Sequence, residues 1–343
     1  MAVSETLVEL PVQPKLTPWP TESWPQGDLS AGVDADALDL LLSKALTNPD
    51  DLGETHAALV IQGGQIVREV YGDGFGPEKT YPSWSMAKSI THALVGMAIA
   101  DGKMALDAPV DLAAWQADDR RNITLNQLLQ MASGLRFREE YVDAGVSDTI
   151  EMLFGPGKSD VAQYAIDQAL EHPPGTFWSY SSGTTNIICH LLAEALGLDQ
   201  GGMEAFMRER LFRPLGMHSP IPKFDPAGTF IGSSFCYCTA RDFARFGLLY
   251  LRGGVWDGEQ ILSPEWVDHA RTPLPIVPEE EPMGYGGHWW LDIAGPGSFS
   301  ANGYQGQYIV LVPQKDLIIV RHGASEEQKD NVRAWLADIA ACF

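Results

Sequence analysis

The most suggestive spacing in this chain is a serine three residues before a lysine, Ser85-Met86-Ala87-Lys88. It opens a stretch, Ser85 to Asp101, with the pattern of a helix. The second half is apolar nearly all round (Ala93, Leu94, Val95, Met97, Ala98, Ile99), which marks a buried central helix. Residues at i and i+3 share a helix face, so the Lys88 ammonium can reach the Ser85 hydroxyl. A serine alcohol is a weak nucleophile and needs a neighbour to take its proton. Lysine does so only when neutral, and burial against an apolar helix moves its pKa in that direction. A helix N-terminus adds partial positive charge and free N–H donors where an oxyanion would develop. The same four residues also describe a capping serine beside a lysine whose stem lies on apolar surface.

Two further groups could join this pair. Tyr180-Ser181-Ser182 lies in the turn before a predicted helix, Thr184–Leu196, and a buried tyrosine beside a lysine can serve as general base and then general acid. Phe177 and Trp178 beside it fit a purely structural aromatic equally well. Gly303-Tyr304-Gln305-Gly306-Gln307 leads into a predicted strand, Tyr308–Val312. Glycines there let a strand edge approach a substrate, and a backbone N–H could complete an oxyanion hole; a plain hairpin turn fits as well.

These groups need elements to hold them. A helix is expected at Asp34–Thr47, then a hairpin of Ala58–Gln62 and Gln65–Tyr71 around Gly63-Gly64. The middle of the chain reads as helices at Thr124–Met131, Val161–Glu171, Thr184–Leu196, Met203–Leu211 and Ala240–Leu251. Strands return at His288–Ile293, Tyr308–Val312 and Leu317–Arg321, and a helix at Glu326–Ala341 closes the chain. Strands at both ends with helices between predict an α/β (α+β) fold. Its antiparallel sheet is built from both termini and flanked by helices, with a mostly helical insertion. The expected boundaries are a Pro-rich extended arm at 1–33, a sheet domain of 34–104 plus 255–343, and a helical domain at 105–254. The cleft should lie between the two domains.

Composition narrows the function. The 343 residues are 45% hydrophobic and 20% charged, the balance of an ordinary globular protein. A net charge of -22 gives phosphate backbones and anionic lipid no electrostatic footing, so neither nucleic acid nor membrane is an expected partner. Met1–Pro20 builds no apolar export segment, and the four cysteines (Cys189, Cys236, Cys238, Cys342) make no disulfide framework. Both features predict a cytoplasmic, reduced protein. Gly155-Pro156-Gly157-Lys158-Ser159 lacks the first glycine of a phosphate-binding loop, since Met152 stands there. Gly72, Gly74 and Gly76 fail as a dinucleotide fingerprint at Pro77, and the scattered histidines ask for no metal. No cofactor is expected. Oligomeric state is not legible.

Taken in order and spacing, the three groups resemble the serine β-lactamase and penicillin-binding protein superfamily on its class C and esterase side. Thr124–Leu135 (TLNQLLQMASGL), Cys238–Asp242 with Phe243–Gly247, and Tyr285–Trp290 (YGGHWW) are similar to stretches of that group. Tyr180-Ser181-Ser182 and Gly306-Gln307 look closest to the 6-aminohexanoate-dimer hydrolases and related carboxylesterases, and Arg138–Asp143 (REEYVD) resembles a segment that supplies a substrate-contacting tyrosine, here Tyr141. The resemblance implies a serine hydrolase of a small amide or ester. Ser85 would be the nucleophile, Lys88 and Tyr180 the proton carriers, and the backbone N–H groups of Ser85 and Gln307 the oxyanion hole. Tyr141, Ser182, Tyr304, Gln305 and Gly306 would contact substrate. In class C enzymes the Tyr-x-Asn motif ends in asparagine, where this chain has Ser182, and the Lys-Thr-Gly motif reads Tyr304-Gln305-Gly306. Losing an amide and a cation disfavours an anionic β-lactam. A β-lactamase or D-Ala-D-Ala peptidase is the alternative within the fold; a non-catalytic ligand-binding or scaffolding member is the alternative outside catalysis.

Overall fold

A computed structural model describes residues 7–141 and 146–343. Seven strands form one antiparallel sheet: β1 (Glu54–Gln62), β2 (Gln65–Tyr71), β3 (Gly284–Tyr285), β4 (Trp290–Leu291), β5 (Phe299–Gly303), β6 (Gln307–Val312) and β7 (Leu317–Ala324). Their order is β2-β1-β7-β6-β5-β4-β3, so the first hairpin pairs with the last strand of the chain. Gly63 and Gly64 both take left-handed φ (60° and 75°), the geometry of a two-residue hairpin turn, and Gln62 pairs with Gln65.

Side chains alternate across a strand, and here both faces are apolar. Leu59, Ile61, Ile309, Leu311, Ile318 and Val320 face one core, against helices α2 (Ala87–Ala100) and α5 (Ala240–Leu251). Ala58, Val60, Val310, Leu317 and Ile319 face a second core, against α1 (Ala35–Thr47) and α7 (Lys329–Ala341). The sheet is therefore covered by helices on both sides. Asp34 caps α1 through its side chain, as its position before the apolar run implies. Ala240–Leu251 falls inside the segment expected to be the helical insertion, yet it packs on the sheet: a Cβ at Gly247 would press on Ile309 and Leu311.

The other elements around the cleft are α3 (Asp148–Leu153), α4 (Ser182–Leu196) and α6 (Pro264–Arg271). Of these, α3 and α6 had no counterpart in the predicted elements, nor had β3 and β5. The strand expected at His288–Ile293 shrinks to Trp290–Leu291. His288 and Asp292 both adopt positive φ (59° and 66°), which ends an extended run at each side. Among the described residues, no helix is long and apolar enough to cross a membrane.

Candidate active site

Ser85 does not start the α-helix as expected. It sits in a 3-10 turn, Trp84–Met86, that leads into α2. Trp84 carries φ 43°, a left-handed conformation that costs a bulky residue roughly 1–3 kcal/mol and is found where surroundings over-determine it. The turn leaves Ser85 half-buried at the wall of a cleft, while Lys88, one turn on, is 1% exposed.

Lys88 Nζ has three neighbours: Ser85 Oγ at 3.0 Å, Ser182 Oγ at 2.9 Å and the Ser233 carbonyl oxygen at 3.0 Å. Burial lowers its pKa to about 8, with the Glu139 charge and the Cys189 thiol pulling upward. The Tyr180 ring lies beside the amine, 4.8 Å from Nζ to its centroid. Tyr285 packs edge-on to Tyr180 at 6.0 Å, and Trp290 lies tilted at 5.2 Å. Burial in this aromatic cage, with Glu139 nearby, drives the phenol well above its ordinary pKa, while hydrogen bonds with Ser85 and Trp290 pull it down. The phenol therefore holds its proton, and it lines the same cleft as Ser85. Ser85, Lys88 and Tyr180, spaced across 95 positions, meet at one point.

Ser182 was expected to touch substrate; it lines a small pocket beside Ser85, yet it is 1% exposed, and its hydroxyl joins Lys88 to Glu139, donating to Glu139 Oε1 at 2.6 Å. Glu139 is a site residue that the sequence reading did not single out. Its Oε2 accepts from the Ser182 backbone N–H at 2.7 Å, and its Oε1 also accepts from the Tyr141 hydroxyl at 2.8 Å. Ser182 is the first residue of α4, so the carboxylate sits at a helix N-terminus, where the dipole favours negative charge. The neighbouring Ser181 caps that helix, its Oγ accepting from the Thr184 N–H at 3.1 Å. Residues 138–141 lie outside helix and strand; Glu139 and Tyr141 meet in the cleft while Arg138 pairs with Asp148 of α3 at 3.0 Å. Val142 and Asp143 of the REEYVD segment lie outside the described residues.

Gln307, expected to offer its backbone N–H to an oxyanion, is 1% exposed and is not among the residues lining the cleft; its strand β6 lies between β5 and β7. Its side chain is spent on the Tyr304, Gln305 and Gly323 carbonyls and on the Gly323 N–H. The cleft is lined instead by Asn302, Gly303, Tyr304, Gln305 and Gly306. Strand β4 pairs with β5 only at Phe299 and Ser300, so β5 has a free edge beyond that point. A Cβ at Gly303 would collide with the Ser83 carbonyl, so only glycine lets this edge come so close to the Ser85 turn. Tyr304 stacks on Tyr141 at 5.0 Å, meets Trp84 edge-on at 5.6 Å and donates its hydroxyl to Glu326. Gln305 (φ 60°) and Gly306 (φ 82°) complete the turn, and the Gly306 carbonyl accepts from buried Arg321 at 2.8 Å.

A serine, an amine and a phenol gathered at a cleft beside an antiparallel sheet define a class, and comparison with known proteins agrees with it. Residues 53–342 match the Beta-lactamase family model, and the chain belongs to that family. The 6-aminohexanoate-dimer hydrolase of Paenarthrobacter ureafaciens is 26% identical over 287 residues, 78% of this chain and 72% of that protein. Penicillin-binding protein 4 of Amycolatopsis lactamdurans is 26% identical over 281 residues, 70% and 71% of the two chains. Among solved structures, a Bacillus anthracis protein named for 6-aminohexanoate-dimer hydrolysis superposes with TM-score 0.76 at 20% identity, covering 98% of this chain and 90% of that one. A penicillin-binding protein from Bacillus halodurans gives 0.67 at 18% identity, covering 87% and 98%. These two likenesses speak for the fold.

Proposed function

We propose that the chain is a serine hydrolase that cleaves amide or carboxylic ester bonds through an acyl-enzyme on Ser85. The hydrogen-bond pattern at Lys88 carries this reading. The Ser233 carbonyl can only accept, and the Ser182 hydroxyl spends its proton on Glu139, so Lys88 must donate to both. As an ammonium Lys88 donates to all three oxygens; once neutral it has two protons, and both are then committed. What remains toward Ser85, 3.0 Å away, is the nitrogen lone pair, which can accept the serine proton.

Ser85 Oγ attacks the carbonyl carbon and its proton passes to Lys88. The oxyanion is held by the Ser85 N–H and by an N–H of the free β5 edge at Asn302–Gly303, in place of Gln307. On collapse, Tyr180 protonates the leaving amine or alkoxide and is reprotonated from the Lys88 ammonium. Water then attacks the acyl carbon, gives its proton to the Lys88–Tyr180 pair, and the proton returns to Ser85. Tyr141 and Tyr304 flank the substrate. The hydrolase-named relative supports the reaction class.

Steady-state turnover of p-nitrophenyl acetate, linear ω-amino-acid amides and a chromogenic cephalosporin by the wild type, Ser85→Ala and Lys88→Ala tests the reading. Ester or amide hydrolysis should fall at least about a thousandfold in both variants. Ser85→Ala hydrolysing like the wild type would refute the assignment, and cephalosporin turnover matching ester turnover would favour a β-lactamase.

A further inference from the structure

Ser85 stands where two cavities meet, and they differ in chemistry. The wider one, about 710 Å³, is lined by Tyr180, Trp290 and the charged Glu139, Glu281, Glu326 and Lys329. The narrower one, about 250 Å³, is lined by Trp84, Ile150, Leu153 and Phe154 with the hydroxyl-bearing Thr149, Ser182 and Ser234, and has no acidic or basic side chain in its wall. Stacked Tyr141 and Tyr304 border both cavities.

Resting on the acyl-enzyme reading, we infer that the narrow cavity is the acyl site. It takes an uncharged, straight acyl chain of about six to eight carbons, and the leaving group departs through the wide, charged cleft. The proton donor sets the direction. Tyr180 lines only the wide cavity, so the group it protonates must lie there, and the acyl group must point the other way from Ser85. The wall sets the chemistry, since a charged chain end would lose its water and meet hydroxyls but no opposite charge. The volume sets the length: a methylene fills roughly the 30 Å³ of a water molecule, so 250 Å³ of imperfectly packed space holds six to eight carbons.

The test is kcat/KM over p-nitrophenyl acetate, butanoate, hexanoate, octanoate and dodecanoate, with p-nitrophenyl 6-aminohexanoate as the charged counterpart. Each added methylene should raise kcat/KM about threefold to fourfold up to hexanoate or octanoate. Dodecanoate should fall back, and the 6-amino ester should run at least tenfold below hexanoate. Leu153→Trp should cut the octanoate-to-acetate ratio at least tenfold; Phe154→Ala, at a 56% exposed position that folding tolerates, should flatten the same ratio. A flat chain-length profile, or a 6-amino ester equal to hexanoate, with Ser85-dependent acetate turnover intact, overturns the acyl site and leaves the hydrolase reading standing. No Ser85-dependent turnover of any ester overturns both.

Discussion

Glu139 exerts the most testable influence of any single side chain on the candidate chemistry. Its charge favours the ammonium form of Lys88, whose pKa burial lowers to about 8. Lys88 must be neutral to act, so kcat/KM should fall as pH drops through about 8. Glu139→Gln removes the charge that stabilises the ammonium and should move that limb to lower pH. A pH profile on p-nitrophenyl acetate reads the shift; an unchanged or raised midpoint would sink this role for Glu139. That Ser85, Lys88 and Tyr180 lie near one another was legible because residue type and order along the chain carry it. Glu139 was not, since Glu139 and Glu140 look alike until the fold sets one against the start of α4. The surroundings of Ser182 and Gln307 were hidden for a related reason: a local pattern does not show that a hydroxyl is tied to Glu139 or that a strand is interior.

Among the elements, α2 is the one on which Ser85 and Lys88 both depend, and Gly96 is its tightest point. In an open helix, glycine to alanine stabilises by up to about 1 kcal/mol. Here a Cβ would strike the Trp266 indole, whose Nε1 donates to the His92 carbonyl at 2.9 Å and so ties α6 to α2. Gly96→Ala should therefore destabilise by about 1–3 kcal/mol and lower the melting temperature by a few degrees. A raised melting temperature would contradict this packing. The long elements were readable from periodicity: α1, α2, α4, α5 and the first hairpin emerge close to their expected limits. The short ones were not. Strand β5, Phe299–Gly303, contains Ser, Ala, Asn and Gly and is held by the pairing of its neighbours rather than by its own pattern. Helix α6 did carry a local signal, Ser263 before Pro264, which caps it by accepting from Trp266 N–H.

Across the whole molecule, buried neutral histidines stitch separate elements together. His92 Nδ1 meets the Tyr250 hydroxyl at 2.8 Å, its Nε2 meets His269 Nδ1 at 3.1 Å, and His269 Nε2 reaches Asn126 at 3.0 Å. His288 joins the Leu129 carbonyl at 2.7 Å to Thr185 of α4 at 3.0 Å. Burial lowers His269 to about 4 and His288 to about 3. Below about pH 6.5 the unfolded chain binds protons that the folded chain refuses, so stability falls as pH drops, by up to about 1.4 kcal/mol per unit for each such histidine. Urea midpoints should decline between pH 7 and pH 5; a constant or rising midpoint would contradict this arrangement.

The central claim, a Ser85 alcohol activated by an uncharged Lys88, is tested most directly by covalent capture. Intact-mass analysis after incubation with a fluorophosphonate, followed by peptide mapping, should show one adduct, placed on Ser85, forming faster at pH 8.5 than at pH 6.5. Ser85→Ala should show none. An adduct on another residue, or equal labelling of the Ser85→Ala protein, would contradict the account.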